Sequence, residues 1–275
     1  MRVEDCLVFG KSHCHSDIAK ILLGELLGKN PLELLNYLEE QVPEELYKKY
    51  QEEVMALESG KPLQYVMGHV NFYGNQFHVD ERVLIPRYET EELVENTIKL
   101  SKELFTEPVD ILDLGTGSGV IGLTLENKLS TNSVDLIDIS KDALEVAKIN
   151  GGKLKSKANY IESDFFEKVN KLYDIIISNP PYIKDDEEIE EIVKNNEPHL
   201  ALYAGEKGLD CYNKILKEAQ FYMKEKAILA FEIGATQKDD IIELINKYMD
   251  NVEITCKQDL SGRDRMIFII KNPPK

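Results

Sequence analysis

The chain has 275 residues, 43% of them hydrophobic and 30% charged, with a net charge of −17. That length accommodates one large α/β domain and a smaller module, and no apolar run approaches the roughly 18 residues of a membrane helix. A surface this acidic repels phosphate backbones, which weighs against nucleic-acid binders and suits a small cationic ligand or a basic protein partner.

Met1-Arg2-Val3-Glu4-Asp5 brings acids early and no long apolar segment follows, so no signal peptide is expected and the protein reads as cytoplasmic. Cys6, Cys14, Cys211 and Cys256 form no Cys-x-x-Cys pair. His13-Cys14-His15 beside Cys6, on a short polar tail, is a poor structural metal site, and no metal is expected. Ser16-Asp17 precede Ile18, Leu22, Leu23, Leu26 and Leu27, a stripe at helical spacing closed by Gly28. Pro31 opens a second predicted helix carrying Leu34, Leu35 and Leu38. Pro43 opens a third, with Leu46, Tyr50, Val54 and Leu57, ending near Gly60. Short connections predict an antiparallel bundle over residues 1–70. It carries no visible chemistry; partner docking is its expected role and plain structural support the alternative.

Residues 71–88 read as a hairpin linker in which 76–79 pair with 83–85. Phe72, Phe77 and Pro86 make it aromatic and stiff, fit to wall a binding channel. Pro86-Arg87-Tyr88-Glu89-Thr90-Glu91-Glu92 then enters a helix, with Thr90 or Glu89 near its cap and the acids complementing its dipole. Over 89–275 strands alternate with helices. Strands are expected at 109–114, 133–139, 158–161, 172–178, 226–233, 252–256 and 266–270, and helices from about Ser118, Ser140, Gly208 and Thr236. This predicts an α/β fold with a doubly wound, mostly parallel sheet. The last two strands lack a long helix between them, so one is expected to enter antiparallel at an edge.

Four strand ends carry chemistry. The first runs into Asp113-Leu114-Gly115-Thr116-Gly117-Ser118-Gly119, where glycines allow a sharp turn and close approach of a ligand to the main chain. Gly117, Gly119 and Gly122 also satisfy Gly-x-Gly-x-x-Gly, the dinucleotide pattern. Against that reading, Asp113 puts a carboxylate where a pyrophosphate would lie but a cationic ligand would be welcome. The second strand ends at Asp138-Ile139, about 20 residues on, placed to accept from ribose hydroxyls of either NAD or S-adenosylmethionine. After the third, Asp164 is placed to accept from an adenine amine and Phe165 to pack on the ring. The fourth, with Ile175, Ile176 and Ile177 buried on both faces, stops at Asn179-Pro180-Pro181-Tyr182. Two prolines stiffen the exit. The Asn179 side chain and the Pro180 carbonyl offer convergent acceptors for an NH2 group, and Tyr182 a flat face. A rigid turn after a core strand is the plain alternative.

Together these motifs resemble the class I S-adenosylmethionine-dependent methyltransferases. More narrowly they resemble the HemK-type protein-(glutamine-N5) methyltransferases, which modify peptide chain release factors. Beside the glycine loop and Asn179-Pro180-Pro181-Tyr182, the resemblance takes in Pro62-Leu63-Gln64-Tyr65-Val66-Met67-Gly68 and Val83-Leu84-Ile85-Pro86-Arg87-Tyr88-Glu89-Thr90-Glu91. It also includes Glu197-Pro198 and Asp259-Leu260-Ser261-Gly262-Arg263-Asp264-Arg265. Tyr88 departs from the family, which typically has proline there. The resemblance implies a seven-stranded Rossmann-like methyltransferase sheet and S-adenosylmethionine as cofactor, held by Asp113, Gly115, Thr116, Gly117, Ser118, Gly119, Asp138, Ile139, Asp164, Phe165 and Asn179. It implies catalysis by Asn179, Pro180 and Tyr182, with Pro181, Phe72, Phe77, Pro86 and Glu197 completing the substrate site. The implied partner is a release factor, with no membrane or direct nucleic-acid substrate, and a monomeric enzyme. An adenine-N6 or guanine-N2 nucleic-acid methyltransferase is the nearest alternative; a cofactor-binding assembly protein and a nucleotide-dependent oxidoreductase are the others.

Overall fold

In the computed structural model the structure describes residues 1–272, in two compact units. The first comprises residues 1–69 together with Glu190–Asn196. Helices α1 (Val3–His13), α2 (Ser16–Leu27), α3 (Glu44–Glu58) and α4 (Leu63–Met67) bury Cys6, Leu7, Leu22, Leu23, Tyr50 and Val54 in a common core. The expected polar tail is therefore a helix: Val3, Cys6, Leu7 and Gly10 recur at the spacing that puts them on one face, and all four are buried. The helix expected from Pro31 reduces to one 3₁₀ turn, Leu34–Tyr37. Asn30 Oδ1 accepts from the Leu32 N–H at 2.9 Å, a local turn that competes with a helical start, and Leu35 is left 57% exposed.

The second unit comprises residues 70–189 and 197 onward. Its hairpin is β1 (His69–Phe72) with β2 (Asn75–His78), so the expected pairing of 76–79 with 83–85 does not form. Tyr73 and Gly74 both have positive φ, 48° and 80°, the tight two-residue turn whose twist matches a hairpin. Segment 83–85 is instead irregular, its Ile85 N–H donating to Glu197 Oε2 at 3.0 Å.

The main sheet comprises β3 (Val109–Leu114), β4 (Thr131–Asp138), β5 (Asn159–Glu162), β6 (Tyr173–Ser178), β7 (Met223–Glu232), β8 (Val252–Gln258) and β9 (Asp264–Lys271), in the order β5-β4-β3-β6-β7-β9-β8. Strands β3 to β7 are parallel; β9 is antiparallel to both β7 and β8. The antiparallel strand is thus penultimate, not at the edge. Met266 to Ile270 of β9 are all buried, whereas β8 is largely half-exposed, so the more apolar strand takes the inner place.

Side-chain alternation explains the two covering layers. Ile175 and Ile177 pack with α5 (Tyr88–Leu104) and α6 (Val120–Lys128) through Leu93, Ile98, Ile121 and Leu125. Ile176 points the other way, toward Tyr212, Ile215, Ile241 and Ile245 of two later helices, Asp210–Tyr222 and Lys238–Tyr248. Helix α7 (Lys141–Leu154) lies against β4 and β5. The strand order reverses between β3 and β6, where open α/β sheets bind ligands. Among the described residues no helix is long and apolar enough to cross a membrane.

Candidate active site

A cavity of about 600 Å³ opens at the carboxyl ends of β3, β4 and β6, within the roughly 300–1,000 Å³ typical of small-molecule sites. Gly115, Thr116, Gly117 and Ser118 form one wall. Gly115 and Gly117 have φ of 70° and 54°, and a Cβ added to either would meet nothing within 4 Å, so the bare loop backbone is presented to a ligand. Gly119 caps α6 and does not line the cavity.

Asp113 does not line it either, which corrects the expectation that its carboxylate faces a ligand. It is fully buried beneath the loop. Its Oδ2 accepts from the Thr116 hydroxyl at 2.6 Å and the Gly122 N–H at 2.9 Å, while Oδ1 has no protein partner. Burial pushes its carboxyl up to about 7. Gly122 is glycine for this contact: a Cβ there would stand 2.2 Å from Leu136 Cδ2 and 3.0 Å from Asp113 Oδ2.

Asp138, Ile139, Asp164 and Phe165 all line the cavity, as expected. Asp138 accepts from the N–H groups of Gly117 at 2.9 Å and Ser140 at 2.8 Å, tying the glycine loop to the end of β4. Burial pushes its carboxyl above the usual range, opposed by those N–H donors. Asp164 is paired with Lys214, whose ammonium also lies 5.7 Å from the Phe165 ring centre.

Asn179 and Pro181 reach the same cavity from the end of β6. Their loop is pinned by the Ser178 hydroxyl donating to the Leu114 carbonyl at 2.6 Å and by Ile183 pairing with Tyr203. Pro180 and Tyr182 are outside the lining. The Tyr182 carbonyl accepts from Gln237 Nε2 at 3.0 Å, and burial pushes the Tyr182 hydroxyl up to about 12. Asn179 Nδ2 donates to Thr90 Oγ1 at 3.3 Å, and the Thr90 hydroxyl donates to Glu232 Oε2 at 2.6 Å. Thr90 is thus no cap: the helix begins at Tyr88 with Arg87 as its N-cap, and Thr90 points inward from the first turn.

Of the expected aromatic wall only Pro86 lines the cavity, beside Val83 and Leu84. Phe72 and Phe77 are buried in the core, edge to face with centroids 6.0 Å apart. Glu197 is buried behind the cavity wall, where Oε2 accepts from the Ile85 N–H and Oε1 pairs with Arg87 at 2.6 Å. It shapes the segment carrying Pro86 without touching the cavity. The residues missed are Thr90, Glu232 and Lys214. A glutamate closing an otherwise apolar strand, Ala227 to Phe231, was the available signal for Glu232.

The strand order, the bare glycine loop and the acid closing β4 define a class I S-adenosylmethionine-dependent methyltransferase. Residues 92–202 match the methyltransferase small domain family and residues 15–68 the PrmC N-terminal domain family. The release factor glutamine methyltransferase of Bacillus cereus is 34% identical over 98% of this chain and 99% of its own. That of Streptococcus pneumoniae is 40% identical over 84% and 83%. The chain belongs to the release factor glutamine methyltransferase family, and S-adenosylmethionine is its cofactor. Among solved structures, the Thermus thermophilus 16S rRNA N2 G1207 methyltransferase in complex with AdoMet and guanosine shares the fold. Its TM-score is 0.55 at 16% identity, over 74% of this chain and 49% of that one.

Proposed function

We propose that the protein, acting in the cytoplasm as a monomer, transfers the methyl group of S-adenosylmethionine to the side-chain amide nitrogen of the glutamine in the Gly-Gly-Gln motif of a release factor. The observation that carries this reading is that Asn179 and the glycine loop line one cavity. The bare backbone at Gly115 and Gly117 and the acids Asp138 and Asp164 fit the cofactor: a cradle open to a ligand, with acceptors for hydroxyl and amine groups. Thr116, Ser118, Ile139 and Phe165 complete its walls. Asp113 supports it indirectly, through Thr116 and Gly122.

When bound, S-adenosylmethionine supplies a methyl group on a sulfonium, an electrophile that needs no further activation. An amide nitrogen is a weak nucleophile, so this chain contributes chiefly orientation, which supplies on the order of 7–11 kcal/mol. Asn179 Oδ1 accepts an amide hydrogen and stabilises the positive charge that grows on nitrogen, while Pro180, outside the cavity lining, stiffens the loop that presents it. The excess proton passes to water after transfer. Tyr182 anchors the loop to Gln237, and Pro181 and Pro86 narrow the channel. Residues 1–70 dock the release factor, 71–88 link, and 89–275 carry the chemistry. Incubation with methyl-labelled cofactor and either release factor, RNA or DNA tests this. Label is expected on the release-factor glutamine; label on nucleic acid, or on neither, overturns it.

A further inference from the structure

The side chain of Asn179 must present its oxygen, not its NH2, to a substrate amide. A carboxamide turned end over end has nearly the same shape, and the wrong face would offer donors to a group that is itself a donor. Something must fix the direction, and a buried acid behind the cavity wall is a candidate. Glu232 ends β7, is 1% exposed, and accepts from the Thr90 hydroxyl at 2.6 Å. Thr90, on the first turn of α5, is 3% exposed and in turn accepts from Asn179 Nδ2 at 3.3 Å.

We propose that Glu232 is a positioning residue that acts through Thr90 to hold the Asn179 carboxamide with Oδ1 toward the substrate. The direction follows from donor counting. An ionised carboxylate only accepts, so the single Thr90 proton must point to Glu232. The lone pairs of Thr90 are then left to receive a hydrogen from Asn179, which commits Nδ2 to Thr90 and frees Oδ1. A glutamine at 232 would not enforce this order, because it can also donate. Burying a carboxyl is costly where a neutral partner would satisfy one hydroxyl; the charge is explained if the direction of the chain of bonds matters. The inference rests on Asn179 being the residue that grips the substrate amide.

The arrangement has a titration signature. Burial pushes the Glu232 carboxyl up to about 7. The groups facing it are the Thr90 hydroxyl and Arg265, which favour the anion with help from Arg87, and Glu89, which opposes it. The phenols of Tyr182 and Tyr212 also face it and stay neutral there. Once protonated, Glu232 can donate to Thr90, the order of the bonds can reverse, and Asn179 loses its fixed direction.

The test is single-turnover methyl transfer to the intact release factor from pH 6 to 9, with cofactor affinity by calorimetry, for wild type, Thr90→Val, Thr90→Ser and Glu232→Gln. Expected for wild type is a rate that falls as pH drops through about 7. Thr90→Val should lose roughly tenfold to a hundredfold in the transfer step and lose the inflection, with cofactor affinity within a few-fold of wild type. Thr90→Ser, which keeps the hydroxyl, should recover most of the rate and the inflection. Glu232→Gln should transfer slowly with a flat profile. Should Glu232→Gln fail to fold, the two Thr90 variants decide the matter alone. A Thr90→Val enzyme with wild-type rate and pH profile, or a Thr90→Ser enzyme as impaired as Thr90→Val, overturns the inference. Wild type that labels no release factor would instead sink the function on which it rests.

Discussion

Gly122→Ala probes whether the glycine loop is held from below by Asp113. The new methyl would lie 2.2 Å from Leu136 Cδ2, 3.0 Å from Asp113 Oδ2 and 3.1 Å from Asp113 Cβ, with Leu136 and Asp113 both fully buried. Overpacking of this kind costs about 1–3 kcal/mol. Pushing the carboxyl off the Gly122 N–H adds about 1–3 kcal/mol for a disturbed buried bond. Together these cost about 2–6 kcal/mol; for a protein of this size each kcal/mol lowers the melting temperature by roughly 2–4 °C, so a fall of roughly 4–24 °C is expected. Scanning calorimetry with a cofactor titration reads both effects. Gly117→Ala is the contrasting case. Its φ of 54° strains an alanine, but its methyl meets nothing within 4 Å and stands on the cavity wall. Strain of about 1–2 kcal/mol predicts a smaller thermal loss, while cofactor affinity falls by roughly tenfold or more. Gly122→Ala melting with wild type, or Gly117→Ala binding the cofactor as tightly as wild type, would refute the reasoning.

Asn179→Ala should cut turnover by about a hundredfold or more, roughly 3 kcal/mol, with cofactor affinity near wild type; steady-state kinetics within a few-fold of wild type would remove Asn179 from the reaction. Asp138→Ala should weaken cofactor binding by roughly tenfold or more, since it removes an acceptor and frees the Gly117 N–H; equal affinity by calorimetry would take Asp138 out of the site. Stability should depend on pH through Asp113 and Glu232, both pushed up to about 7 by burial. A raised folded-state value means the neutral form is favoured on folding, so this contribution is complete below about pH 4 and is lost as pH rises through about 7. It amounts to on the order of 3–4 kcal/mol per group. Denaturant melts should therefore show stability falling between pH 5 and 7, less steeply in Asp113→Asn or Glu232→Gln; slopes equal to wild type in both variants would contradict it.

Most of the sheet was legible because its signals are local. The run Ile175-Ile176-Ile177 needs cover on both faces wherever it lies, and the stop at Asn179-Pro180 is dictated by proline itself. Asp138, Asp164 and Asn179 could be expected at one cavity because each sits at or just beyond the end of a strand, and parallel strands deliver their carboxyl ends to one place. What failed depended on partners distant in sequence. Phe72 and Phe77 look like a channel wall until the hairpin turns at Tyr73-Gly74 and buries both. Glu197 looks like a substrate contact until Ile85 and Arg87 are seen occupying it. Thr90 reads as a cap because threonine often is one; its bond to Glu232 spans 142 residues and leaves no trace in spacing. The inner place of β9 is likewise a contest between two adjacent strands, decided by which is more apolar.

Two buried acids underlie the two halves of the cavity in the same manner. Asp113 receives the hydroxyl of Thr116 beneath the glycine loop; Glu232 receives the hydroxyl of Thr90 beside Asn179. Both threonines line the cavity and neither acid does. In each case a carboxyl kept from water fixes where a cavity hydroxyl directs its proton, and so which groups remain for ligands. The same burial links stability to activity in opposite senses. Lower pH neutralises both acids and strengthens the fold, while the order of bonds from Asn179 through Thr90 requires Glu232 charged. Conditions that make the protein most resistant to unfolding should therefore be those in which the transfer step is slowest, an opposition that a site built from neutral hydrogen-bond partners would not show.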